Sequence, residues 1–96
     1  MIVSFADEAT ESLLQGERGK KVRGLPPDIH SAALRKLDML NAAAELRDLR
    51  APPGNRLEAL RGDLKGRHSI RVNDQWRIVF RWGSGDAHDV EIVDYH

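Results

Sequence analysis

The stretch His68-Ser-Ile-Arg-Val-Asn-Asp-Gln-Trp-Arg-Ile-Val-Phe-Arg-Trp82 decides the fold. It reads as two β-strands joined by a short turn. Ile70 and Val72 alternate with Ser69 and Arg71, while Trp76, Ile78, Phe80 and Trp82 alternate with Arg77, Val79 and Arg81. A period of two puts apolar side chains on one face and arginines on the other. Asn73-Asp74 supplies the turn chemistry. A two-residue loop would set apolar positions against arginines, so the alternation predicts a three-residue loop, Asn73 to Gln75. Val72 then faces Trp76, and Arg71 faces Arg77. Like charges directly opposite each other in a sheet are unfavourable. Two readings of that pair stand side by side. It holds an anion, phosphate being the one arginine fits best, or nearby carboxylates neutralise both arginines, which is the more ordinary arrangement.

Downstream, Gly83-Ser-Gly-Asp86 reads as a turn and His88 to Asp94 as the last strand, with Val90 and Ile92 facing the core. Pairing Phe80 with Val90 aligns the apolar faces. It also sets Arg81 opposite Asp89, and Arg77 opposite Val93, diagonal to Glu91 and Tyr95. Upstream, Arg56 to Leu60 reads as a strand and Arg61 to Gly66 as a glycine-bounded loop. Ala51-Pro-Pro-Gly54 ends a helical region. That region opens at Pro26-Pro27-Asp28, where proline is tolerated and a carboxylate suits the positive helix end. Ile29, Ala33, Leu37, Leu40 and Ala44 form its buried stripe, and Leu46 and Leu49 continue the pattern in a second short piece. Met1 to Phe5 is a strand candidate. Ala6 to Gln15 reads as a short helix, with Ala9 and Leu13 on one face and Gly16 as its stop. Gln15 to Gly24, carrying Lys20, Lys21 and Arg23, reads as a mobile polar connection. Helices first and an antiparallel meander afterwards give an α+β fold with the helices on one face of the sheet.

Ninety-six residues suit one domain with one core. No apolar run is long enough to span a membrane. The first residues lack a charged leader and a long apolar segment, so no secretory signal is expected. The chain has no cysteine, which removes thiolate chemistry and cysteine-bound zinc and fits a cytoplasmic protein. Net charge is zero, so bulk charge gives no case for nucleic-acid binding. Its distribution is more telling. From Asn55 to Arg81 seven basic residues (Arg56, Arg61, Lys65, Arg67, Arg71, Arg77 and Arg81) stand against three acidic ones (Glu58, Asp63 and Asp74). A local positive surface is expected there.

The open sheet face is expected to gather Arg71, Arg77 and Tyr95, with Glu58 and Arg61 approaching from the neighbouring strand. The chain closes on Asp94-Tyr95-His96. Histidine is the side chain best poised to exchange a proton near neutral pH, and tyrosine can donate, accept or stack on a base. Arginines beside a proton shuttle suit cleavage of RNA by its own 2′-hydroxyl, where cations hold the charge that builds on the phosphoryl oxygens. No HxH, HExxH or carboxylate cluster at metal spacing is present, and neither is a Walker-type loop or a GxSxG elbow, so no metal or cofactor is expected. By parity His68 belongs to the apolar face and is structural. Trp76 and Trp82 read as packing residues, and Glu91 as a partner for arginine.

Three stretches carry a resemblance. Pro53-Gly-Asn-Arg-Leu-Glu-Ala-Leu-Arg-Gly-Asp63, the His68 to Phe80 hairpin, and the closing Val90-Glu-Ile-Val-Asp-Tyr-His96, together with Met-Ile-Val-Ser-Phe5, resemble the HigB group of RelE-like toxins, the plasmid maintenance system killer proteins. The resemblance implies a RelE-like fold and a ribosome-dependent mRNA endonuclease, the toxin of a type II toxin–antitoxin pair, acting in the A site of the 30S subunit. It implies a helix-turn-helix antitoxin of the HigA kind, with operator DNA met only through the toxin–antitoxin complex. By position, Arg77 matches the arginine that stabilises the phosphate. Asp94, Tyr95 and His96 match the terminal catalytic cluster, and Arg61 stands where the family carries a basic residue. Glu58 stands where some members have histidine, a departure that weakens the local positive field. Arg71, Lys65, Arg67 and Asn73 are the candidate RNA contacts. The alternative is a non-catalytic module, since the scaffold also resembles the ParE gyrase inhibitors.

Overall fold

In the computed structural model, which describes residues 1–16 and 24–95, Asp7 opens the first helix, α1 (Glu8–Leu14), by accepting the Thr10 N–H at 2.8 Å. Gly16, at φ 78°, ends that turn in the left-handed conformation glycine tolerates. Most of the Gln15 to Gly24 connection, with Lys20, Lys21 and Arg23, lies outside the described residues, as does His96. The second helix, α2 (Pro27–Ala42), starts at the double proline and buries Ile29, Ala33, Leu37 and Leu40. Ala43, not Ala44, continues the buried stripe. The helix stops at Ala42, the backbone turns extended at Ala43, and the 3.6-residue phase is lost there. Leu46–Arg50 forms a 3-10 turn closed by a capping box between Glu45 and Asp48, with Leu49 buried. Pro53–Asn55 forms a second 3-10 turn.

Four antiparallel strands follow in simple order: β1 (Glu58–Ala59), β2 (Arg67–Arg71), β3 (Trp76–Gly83) and β4 (Asp86–Asp94). The hairpin has the expected register, with Arg71 opposite Arg77, Ile70 opposite Ile78 and His68 opposite Phe80. Its loop is the expected three residues, and Val72 N–H donates to Trp76 C=O at 2.9 Å. Asn73 Oδ1 accepts from both Gln75 N–H and Trp76 N–H at 2.8 Å, the side-chain turn that asparagine favours. The β3–β4 turn is Ser84-Gly85, both at positive φ, the mirror-type turn that matches strand twist.

Two expectations for the strands are corrected. The Arg56 to Leu60 strand shrinks to Glu58–Ala59, because Arg56 leaves the preceding turn at φ 45°, ψ 57°, a left-handed conformation outside the extended region of regular strand backbone. The Phe80–Val90 pairing is displaced by a β-bulge. The register holds from Trp76↔Asp94 to Val79↔Glu91, then slips by one, so that Arg81 faces His88. Asp89, at φ 51°, absorbs the extra residue. The slip has a packing reason: it keeps Ala87 and Val90, three residues apart, both buried.

The core joins Ile29, Ala33, Leu37 and Leu40 of α2 to Ile70, Ile78, Phe80, Val90 and Ile92 of the sheet. Trp76 and Trp82 pack on it from the rim, and His68 stacks on Phe80 at 6.2 Å between ring centres. Met1 to Phe5 forms only single parallel bridges to β4, Ile2 with Ala87 and Phe5 with Val90, on either side of the bulge. Thr10 of α1 accepts the Ile92 N–H at 3.0 Å. These contacts occupy donors and acceptors that an edge strand would otherwise expose. Among the described residues, no helix is long and apolar enough to cross a membrane.

Candidate functional site

Arg77 sits mid-sheet on the face away from the helices and is 9% exposed. A buried guanidinium needs its donors satisfied, and each of its edges has a partner. Nε donates to Ser69 Oγ at 2.9 Å, and Nη2 donates to the Arg56 carbonyl at 2.6 Å. Nη1 lies 3.9 Å from Glu58 Oε1, a loose ion pair with a half-exposed carboxylate on the edge strand. Tyr95 lies with its ring centre 5.6 Å from Cζ, a cation–π contact. Two of the anchors are neutral. The charge is therefore held in place without being cancelled by them.

Beside it opens a cleft of about 250 Å³ lined by Arg56, Arg71, Asn73, Asp74, Arg77 and Tyr95. Three arginines and one carboxylate make its lining cationic. Arg71 pairs with Asp74 across the turn. Both readings of the Arg71–Arg77 pair thus have a part in the geometry: carboxylates approach each arginine, and the cleft between them still has room for an anion.

The C-terminal strand is held at this cleft by Gln75. Its carbonyl accepts the Tyr95 N–H at 2.5 Å, and its Nε2 donates to Asp94 Oδ2 at 3.1 Å. A chain end frays unless tied down, and Gln75 is the tie. Asp94 pairs in register with Trp76 and lies outside the cleft lining. Successive side chains of a strand alternate in direction, so the step that brings Tyr95 to Arg77 sends Asp94 the other way. His96 lies outside the described residues.

Of the remaining expected residues, Glu58 reaches Arg77, and Asn73 shapes the turn and lines the cleft. Arg61, Lys65 and Arg67 do not line it. Arg61 precedes the 3-10 turn Gly62–Leu64 and makes no side-chain capping bond to it, Lys65 follows that turn, and Arg67 pairs with Glu91 at 3.8 Å at the far end of the hairpin. Sequence reasoning missed Arg56, Ser69 and Gln75 as parts of the site. The signal for Ser69 was available, since parity places it on the arginine face beside Arg77 in a neighbouring strand.

Behind the cleft, Asn55 is fully buried. Its Nδ2 donates to the Leu49 and Ala51 carbonyls at 3.1 and 3.3 Å, and its Oδ1 accepts from Lys36 Nζ at 2.5 Å. Burial of the Lys36 ammonium, with Arg35 and Arg71 nearby, holds its pKa below the ordinary 10.5.

Helices packed on one face of a four-stranded antiparallel sheet make a RelE/YoeB-like fold. A chain of the YoeB–YefM complex from Staphylococcus aureus matches with a TM-score of 0.62 at 16% identity, over 100% of this chain and 98% of that one. Residues 3–96 match the family described as the RelE-like toxin of type II toxin–antitoxin system HigB, and the chain belongs to that family. Its relatives include Toxin HigB-1 of Vibrio cholerae serotype O1, 46% identical over 87 residues, or 91% of this chain and 90% of the relative. Endoribonuclease HigB of Proteus vulgaris is 32% identical over the whole of both chains.

Proposed function

We propose that this toxin is a ribosome-dependent mRNA endoribonuclease, its 96 residues acting as one domain. The observation that carries the reading is the Arg77 guanidinium, fixed by Ser69 Oγ and the Arg56 carbonyl at the wall of a cationic cleft it shares with Arg71 and Tyr95. The relative named an endoribonuclease supports the reaction class.

In the proposed step a ribose 2′-oxygen attacks the adjacent phosphorus. The P–O2′ bond forms and the P–O5′ bond breaks. The 2′-hydroxyl gives up its proton to a base, and the leaving 5′-oxygen takes one from an acid. Arg77 and Arg71 hold the charge that builds on the non-bridging oxygens, and donors fixed in advance need no reorganisation as it builds. Tyr95 stacks on or orients the nucleotides at the scissile bond. Proton transfer falls to His96, next in the chain after Tyr95, with Glu58 as the carboxylate nearest Arg77. Asp94, bonded to Gln75, positions the strand end that carries Tyr95.

The partner is an antitoxin, as membership of a type II toxin–antitoxin family implies, and we assign it to the helix-turn-helix HigA kind. Operator DNA is met only through that complex, the site of action is the 30S A site, and the compartment is the cytoplasm.

Mapping of mRNA 5′ ends after brief induction tests the function. New ends within codons are expected for the wild type, and none for a folded Arg77→Ala variant. Gyrase-dependent DNA breaks without new mRNA ends would overturn the nuclease in favour of a ParE-like binding module.

A further inference from the structure

Arg56 is the anomaly of the cleft. Its backbone is left-handed, at φ 45° and ψ 57°, where glycine sits without cost and a residue with a β-carbon is strained. On backbone grounds alone glycine would serve better. The side chain is exposed, lines the same cleft as Arg71 and Arg77, and has no carboxylate partner among the described residues. The surroundings impose the conformation. Asn55, immediately before it, is fully buried with both ends of its amide bonded, to the Leu49 and Ala51 carbonyls and to Lys36. The backbone of Arg56 does a second job, because its carbonyl accepts from Arg77 Nη2 at 2.6 Å.

We infer that Arg56 is a substrate contact, gripping an RNA phosphate that flanks the scissile one, and that Asn55 is the positioning residue that holds it there. The inference rests on the nuclease reading and adds a residue to it. Arg77 and Arg71 face each other in register across the hairpin. Arg56 approaches from the sheet edge, so a strand of RNA lying on the first two arginines presents a neighbouring phosphate to the third. Strain retained at such a point is the pattern expected where a side chain's use outweighs backbone comfort.

The test uses full-length protein and programmed ribosomes carrying end-labelled mRNA. Arg56→Gly removes the side chain while keeping the carbonyl and relaxing the left-handed backbone. A purely structural role predicts a Tm at least as high as wild type and unchanged cleavage. The inference predicts that same Tm with a KM about tenfold higher, the loss of one charge-assisted hydrogen bond, and kcat little changed. It also predicts a salt dependence of log KM shallower by about 0.7, one single-strand phosphate contact. Arg56→Lys should recover part of the KM. Arg56→Gln, which keeps length without charge, should not, and it serves as the readout if the glycine variant folds poorly. Wild-type KM and salt slope in both Arg56→Gly and Arg56→Gln would overturn this inference alone. Absence of cleavage by the wild-type protein would overturn the nuclease reading with it.

Discussion

Two arginine pairs face each other across the same two strands, four residues apart. Arg67 lies opposite Arg81, and Arg71 opposite Arg77. The first pair meets carboxylates of the next strand: Asp89 lies 2.6 Å from Arg81, a close ion pair, and Glu91 lies 3.8 Å from Arg67, a loose one. The second pair meets Val93 on that strand instead of a carboxylate. Arg77 is anchored there by a hydroxyl and a carbonyl, with Glu58 only at 3.9 Å. Identical side chains in identical register thus do different things. At one end Asp89 neutralises Arg81 in place, while at the other Arg71 pairs with Asp74 of the turn and Arg77 is oriented by a hydroxyl and a carbonyl and left facing a cleft. What separates a structural pair from an anion site is the partner set, not the arginines themselves.

The largest break in that comparison should come from Arg77. Arg77→Ala is expected to lower cleavage by about two to three powers of ten. It should also cost about 1–3 kcal/mol of stability, because Ser69 and the Arg56 carbonyl lose a buried partner. Arg81→Ala, its counterpart at the closed end, should leave cleavage unchanged. Equal losses in the two variants, measured on matched folded samples, would erase the distinction.

Asn55→Ala comes next. It deprives Lys36 and the Leu49 and Ala51 carbonyls of a partner, and should cost about 1–3 kcal/mol in denaturant melts. Cleavage should fall more than in an equally destabilised core variant such as Ile78→Val, since only Asn55 supports the turn beneath Arg77 and Arg56.

Smaller effects are read through pH. Lys36 has a folded-state pKa below its unfolded value, so the unfolded chain binds more protons in the window between the two. Stability should therefore rise with pH just below 10.5, and Lys36→Met should flatten that rise in Tm scans. At the closed end the slope has the same sign, in acid. The hydrogen bond from Arg81 holds the Asp89 carboxyl below its ordinary value. Its small contribution is full above that value and fades as pH falls through the folded one. Asp89→Asn should remove that fading and nothing else.

The hairpin was legible because one rule, the alternation of faces, governs every residue from His68 to Trp82. It gave the loop length, the Arg71–Arg77 opposition and the approach of Tyr95. The same rule separates Asp94 from Tyr95, although grouping the last three residues as one cluster hid that consequence. The left-handed Arg56 and the buried Asn55 were not legible. Their causes are bonds to Lys36, Leu49 and Ala51, made only once α2 and the 3-10 turns pack together. The bulge at Asp89 was hidden for a like reason. It is required by Ala87 and Val90 both being buried, and not by any local turn signal.

Arginine side-chain NMR addresses the difference between the two pairs most directly. The protein, ¹⁵N-labelled at arginine, is titrated with adenosine 3′-monophosphate while the Nε–Hε resonances are followed. Saturable shifts at Arg77 and Arg71, with Arg67 and Arg81 unmoved, are expected. Shifts confined to Arg67 and Arg81, or Arg77 and Arg71 silent throughout, would contradict the assignment of the open end as the anion site.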